Sequence, residues 1–366
     1  MADLLIKNGT VFTYIHEGYH ALKLRRADVL VENGVISKIA AEINTDCEQL
    51  EAEGCMLLPG YINAGADVIG QAVLAGLLAD IAAPRQKERA AGVVKIAYEM
   101  LDDDELRAIA LLGLWDNIRS GVTTVLDTCG ERGHSPVKSA AEALGIRPFT
   151  AADIAVNYLA ADCDIRAASD SGELVGAAVY ALNKPSVATR ELMHSAGATA
   201  LLSAVGCAQS GENFPVVDYL RDGVNSALAT GVWGNSMLAE MRTAALTAKQ
   251  SEQNPRQYKA TDAFYAATVA GAQLIGMEGQ LGRIDLGMAG DISAVSMKRF
   301  SALSYPFNQY LYSGAEEDTQ HIVRGGKILM KNGAAPKNAA RELTEAREIA
   351  ARAVLRCWER ARLEVL

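Results

Sequence analysis

An α/β fold is predicted, with a central body of alternating strands and helices inserted into a small β-rich unit made from both ends of the chain. Three observations point to it. The first sixty residues are strand-like and punctuated by turns, the stretch from Pro59 alternates short apolar runs with helical periodicity, and strand character returns after Leu281. Strands separated by helical segments require crossover connections, hence a parallel sheet, open or closed into a barrel.

Composition narrows the class. Half of the 366 residues are hydrophobic and 22% are charged, enough for a sizeable core and unlike a disordered chain. The formal charge of −9 repels phosphate, so nucleic acid is not expected as a partner. No apolar run reaches the roughly 18 residues that span a bilayer. Asp3 and Lys7 interrupt the start where a signal peptide needs an unbroken apolar stretch. The six cysteines show no CxxC spacing, as in a reducing compartment. A soluble cytoplasmic protein with no membrane partner is expected.

In chain order, Leu4 to Ile6, Val11 to Tyr14, Val29 to Glu32 and Val35 to Ile39 are rich in branched residues. Asn8-Gly9 and Asn33-Gly34 between them are type I′ hairpin signals. Asp102 to Glu105 opens a helix, since acids suit its positive N-terminal end, and Gly121 closes it. Val122 to Leu126 reads as a buried strand, and Leu174 to Tyr180, Thr199 to Ala204 and Ser226 to Ala229 as further strands. Helices are expected near 184–196, 215–222, 235–249 and 261–275. The segment from Asn338 to Leu366 is a long helix with one apolar stripe, Leu343, Ala346, Ala350, Ala353, Cys357 and Ala361.

Several of these segments carry a family likeness. Leu5-Ile6-Lys7-Asn8-Gly9-Thr10-Val11, Ala27 to Ile36 and Leu58-Pro59-Gly60-Tyr61-Ile62-Asn63-Ala64 resemble the opening of the amidohydrolase superfamily. The branch is that of adenosine-analogue and guanine deaminases and triazine chlorohydrolases. Gly121 to Asp127, Asn235 to Arg242, Ala267 to Ala272 and Leu281 to Gly287 continue the likeness in order. It implies a TIM-like (β/α) barrel over 59–281, a composite β-sandwich from 1–58 and 282–335, and a C-terminal helix over 336–366.

The resemblance also implies one divalent metal at the C-terminal ends of the barrel strands. Its ligands would be a His-x-His on the first strand, single histidines on the fifth and sixth, and an aspartate on the eighth. Such a site ionises water near neutral pH for attack on an electrophilic carbon. In this sequence the first-strand positions are Gly65 and Asp67, the sixth-strand position is assigned to Ala177, and Gly231 stands for the aspartate. The fifth-strand histidine and the glutamate after it have no counterpart. Only about twenty residues separate Ala155 from the run at Leu174, less than one βα unit at roughly 30 residues each. A truncated barrel lacking about two units, with no metal and no cofactor, is therefore expected.

Rival motifs are weaker. His16-Glu17-Gly18-Tyr19-His20 matches the zinc-protease pattern, but that pattern works only on a helix and here sits between strands with a glycine inside it. Cys129 and Cys207 lack an evident histidine partner, and His194 and His321 are expected to be structural. The leading expectation is an amidohydrolase-like pseudoenzyme, a structural or regulatory subunit in a homo- or hetero-oligomer with an amidohydrolase-like partner. Two alternatives stand beside it. One is a hydrolase or deaminase of a small nitrogen heterocycle with a rebuilt site of Asp67, Asp127 and His134, with Glu240 nearby. The other is a protein that binds a small-molecule ligand without chemistry.

Overall fold

The computed structural model describes residues 2–14, 22–74, 83–157, 162–180, 184–300 and 305–364. The HExxH-like segment at 16–20 lies outside them. The strands are β1 (Ala2–Tyr14), β2 (Leu22–Glu32), β3 (Val35–Ala40), β4 (Gln49–Glu51), β5 (Cys55–Pro59), β6 (Tyr61–Ala66), β7 (Val122–Asp127), β8 (Arg147–Thr150), β9 (Val156–Asn157), β10 (Ala178–Tyr180), β11 (Thr199–Leu202), β12 (Asn225–Leu228), β13 (Ile292–Ser296), β14 (Thr319–Arg324) and β15 (Lys327–Lys331). The helices are α1 (Val68–Leu74), α2 (Ala83–Met100), α3 (Asp103–Arg119), α4 (Glu131–Leu144), α5 (Asp162–Asp170), α6 (Val187–Ser195), α7 (Ala204–Ser210), α8 (Val216–Arg221), α9 (Met237–Ser251), α10 (Ala260–Ala266), α11 (Val269–Leu274), α12 (Pro306–Ser313) and α13 (Lys337–Glu364).

Both ends of the chain meet in one sheet, ordered β15-β14-β13-β5-β1-β2-β3, with β4 also on β1. Asn33 and Gly34 both take positive φ and turn β2 into β3, as their type I′ signal predicts. Asn8-Gly9 behaves differently. The chain runs on as a single strand and the register against β2 slips between Ile6 and Gly9, so the dipeptide forms a bulge. Asp28 Oδ1 accepts from the Asn8 amide at 2.8 Å and holds the bulge. A Cβ at Gly9 would fall 2.5 Å from Leu57, so no side chain fits there.

The central body is a ring of parallel strands, in one sheet of three and one of four among the described residues. β6 pairs β7 and β7 pairs β8; β9 pairs β10, β10 pairs β11 and β11 pairs β12. A bridge between Ala66 and Gly231 joins β12 back to β6. β8 and β9 run in the same sense with five residues between them, the first four in a tight turn in which Thr150 O accepts from Asp153 and Ile154. Two parallel neighbours need a crossover of a dozen residues or more, and among the described residues β8 pairs with β7, β9 with β10, and β8 and β9 not with each other.

Ala64, Ala178, Ala227 and Ala229 form a buried cluster with Ile62, Leu126 and Leu201.

Around the ring, α3 opens with the capping box its sequence predicts. Asp102 accepts from the Glu105 amide at 2.9 Å and Glu105 accepts from the Asp102 amide at 3.3 Å. The expected helix 184–196 begins only at Val187, because Ser186 caps it after Pro185. The expected helix 261–275 is broken at Thr268, where the Ala267 carbonyl turns to accept from Ile62 N on β6 at 2.8 Å. The strand expected from Leu174 is shorter too: Gly176 takes a positive φ, and only Ala178–Tyr180 are extended into β10. α13 lays its predicted stripe against α3, α2 and α1, with Ala353, Cys357 and Ala361 fully buried. No helix of the described residues is long and apolar enough to cross a membrane.

Candidate functional site

The C-terminal ends of β6, β7, β10 and β12 converge at one mouth of the ring. Asn63 on β6 organises the layer beneath it. Its amide nitrogen donates to Asn117 Oδ1 and Thr230 Oγ1, both at 2.8 Å. Its oxygen accepts from Thr230 N at 3.2 Å. Asn117 passes the chain to Asn235 and Asn235 to Gln71, so these amides hold one another in a buried network.

Above that layer lies Gly65. A Cβ built there would stand 2.9 Å from Ala229 Cβ, 2.9 Å from the Tyr180 hydroxyl and 3.2 Å from Leu201. Side chains of β10, β11 and β12 thus reach across the narrow ring and close the space over this glycine. Asp67 follows at the strand end, half-buried. One oxygen accepts from Gly70 N at 2.7 Å at the start of α1.

Asp127, at the end of β7, is fully buried. Its oxygens accept from Val68 N at 3.1 Å and Cys129 N at 3.0 Å, tying β7 to the first turn of α1. Burial and the neighbouring Asp127 push the Asp67 carboxyl up to about 7, against the lowering by the Gly70 amide. Burial likewise raises Asp127. His134, near the start of α4, interacts with Asp127 and sits 3.2 Å from the Cys129 carbonyl through Nε2. Burial and the two carboxyls raise the Cys129 thiol, so it is held neutral and is no thiolate nucleophile.

Asp127 thus interacts with both Asp67 and His134, while Glu240 makes its hydrogen bonds elsewhere. Glu240 is buried on α9 and caps α7: it accepts from Ser203 Oγ at 2.9 Å, Ala204 N at 2.7 Å and Val205 N at 3.2 Å. Burial lifts its carboxyl to about 7 despite these donors. Between about 4.5 and 7 the folded chain holds a proton that the unfolded chain has released, so stability falls as pH rises through that window. Glu240→Gln keeps an acceptor for the two amides and removes the charge. It is expected to be indistinguishable from the parent near pH 4.5 and more stable by about 3 kcal/mol above pH 7. Urea denaturation at a series of pH values measures the difference; a constant offset across the series would refute it.

The ligand positions implied by the resemblance divide in the same way. Gly65, Asp67 and Gly231 share the mouth, where Gly231 N donates to Gly65 O at 2.8 Å and Asp67 N to Gly231 O at 3.2 Å. Ala177 does not belong with them. It precedes β10 and so lies at the opposite end of the ring from the mouth. The residue at the mouth end of β10 is Tyr180, which sequence reasoning passed over because an isolated tyrosine at a strand end reads as core. Among the described residues no three histidine, cysteine, aspartate or glutamate side chains are grouped to hold a metal ion. Gly65 offers no ligand atom and little space, and Asp127 accepts a backbone amide at each oxygen.

Residues 204–330 match the Amidohydrolase family. Among curated proteins, the 5-methylthioadenosine/S-adenosylhomocysteine deaminase of Acetivibrio thermocellus is 33% identical over 123 residues, 32% of this chain and 28% of that protein. The 5'-deoxyadenosine deaminase of Methanosarcina mazei is 36% identical over 125 residues, again 32% and 28%. The chain thus spans less than a third of the length of these curated relatives. Among solved structures, a zinc-bound adenosine deaminase from Xanthomonas campestris superposes with a TM-score of 0.81 at 16% identity, over 96% of this chain and 98% of the other. A zinc-bound atrazine chlorohydrolase from Arthrobacter aurescens gives 0.79 at 16% identity, over 95% and 100%. The chain thus resembles the Amidohydrolase family over residues 204–330 and shares the fold of these solved structures over most of its length. The family match begins at Ala204, so it includes Gly231 and Glu240 and leaves Gly65, Asp67, Asp127 and His134 outside.

Proposed function

We propose that this chain is an amidohydrolase-like protein with a shortened barrel and no metal site, serving as a non-catalytic structural or regulatory subunit beside an active homologue. The closing of the space over Gly65 by Ala229 and Tyr180 carries this reading. An imidazole at that position is the first thing the family's chemistry requires, and it has no room.

A second reading rests on Asp67, whose carboxyl titrates near neutrality beside Asp127. Such a group can act as a general acid or base in a rebuilt site. The substrate would be a small nitrogen heterocycle.

Elemental mass spectrometry on untagged chain purified without chelator tests the first reading. We expect metal well below one equivalent per chain and a second, metal-bearing homologue in the same fraction. One tightly held equivalent on a lone chain would overturn it. Turnover of 5-methylthioadenosine by the metal-free chain, abolished by Asp67→Asn, would establish the second.

A further inference from the structure

In the resemblance, a metal ties together the ends of several barrel strands. We propose that here the Tyr180 hydroxyl takes over that tie, an inference that rests on the reading that the chain has no metal site. Thr128, just beyond β7, donates through Oγ1 to the Ala66 carbonyl at 2.9 Å, which leaves the same oxygen to accept from Tyr180 at 3.0 Å. The tyrosine hydroxyl also lies 3.4 Å from the Gly65 carbonyl. β6 continues the chain to β12 through the paired bonds between Gly65, Asp67 and Gly231. One hydroxyl relay thus links β10, β7, β6 and β12 at the mouth.

Two details show that the arrangement is built around the tyrosine. The hydroxyl sits directly over Gly65, where any side chain would begin. Thr128 is buried, so water does not readily replace its partner. The absence of a side chain at 65 is the condition that lets the hydroxyl reach the β6 carbonyls.

A double-mutant cycle tests the tie. Tyr180→Phe keeps the ring and removes the hydroxyl, while Thr128→Val keeps the shape and removes its partner. Each is expected to lower the ratio of folded to unfolded chain about five- to tenfold in urea. The double variant should lose less than the sum of the two single ones, because both remove the bond between Thr128 and Tyr180. Amide exchange at Thr128 and Gly231 should quicken in Tyr180→Phe. A neutral Tyr180→Phe, or effects that simply add, would overturn the tie. The cycle is run on chelator-treated protein, so it gives its answer whatever the metal content. A midpoint that drops on adding EDTA would count against the proposed function, and the cycle would still decide the role of Tyr180.

Discussion

Gly65→His, the change that returns an imidazole to the first strand, is expected to destabilise the chain by about 3 kcal/mol and to create no zinc site. The new Cβ alone would stand 2.9 Å from both Ala229 Cβ and the Tyr180 hydroxyl, and the ring beyond it has to displace Tyr180. Overpacking of this kind costs roughly 1–3 kcal/mol. Loss of a buried hydroxyl's partners adds about 1 kcal/mol more. The neighbouring carboxyls give little help in binding metal, because Asp127 is already bonded at both oxygens. Denaturation midpoints and a zinc titration of the variant provide the check. A Gly65→His chain as stable as its parent and binding zinc tightly would show that the mouth has more room than its side chains indicate.

Asp291→Ala is expected to cost about 3–5 kcal/mol, the usual result of leaving a buried charge without its partner. Asp291 is 5% exposed and Arg147 18%, and their closest approach is 2.6 Å. The pair lies where the barrel meets the sheet. Arg147 also donates to Thr124 on β7 at 2.8 Å, and Asp291 accepts from Gly325 N at 3.0 Å in the turn between β14 and β15. Burial and, after it, the nearby Arg147 depress the Arg324 pKa while Asp291 opposes them, so removing the one carboxylate leaves two half-buried cations close together. Asp291→Ala should therefore fall well below parental stability in urea, while replacing Arg147 and Asp291 together by apolar residues of similar size should recover much of the loss. If the double replacement is as poor as the single one, the pair is attractive in itself rather than merely costly to break.

Much of the framework was legible because it is written in local chemistry. The capping box at Asp102, the Asn33-Gly34 turn, the stripe on α13 and the alternation of strands with helices each follow from residues a few positions apart. Where the reading failed, a distant partner decided the outcome. Asn8-Gly9 has the composition of a hairpin turn, but Asp28 and Leu57, brought in by β2 and β5, make it a bulge. Thr268 breaks a periodic helix because β6 claims the Ala267 carbonyl. At the site, Asp67, Asp127 and His134 were found because they follow strand ends. Ala177 was misplaced because β10 starts after it, and that start is set by a turn at Gly176 with no strong signal of its own. Tyr180 and the capping role of Glu240 depend wholly on contacts across the ring.

The pairing of β5 with β13 imposes an order on synthesis. Cys55–Pro59 can find Ile292–Ser296 only after more than two hundred intervening residues have left the ribosome. Until then β5 offers one raw edge, with Met56, Leu57 and Leu58, all buried in the finished fold, beside it. A chain released early, or stalled before its final hairpin, is thus a nascent species with sticky apolar flanks, and chaperone dependence should be concentrated in that interval. Such a protein is committed to its native state late, when its tail arrives to close what its head began.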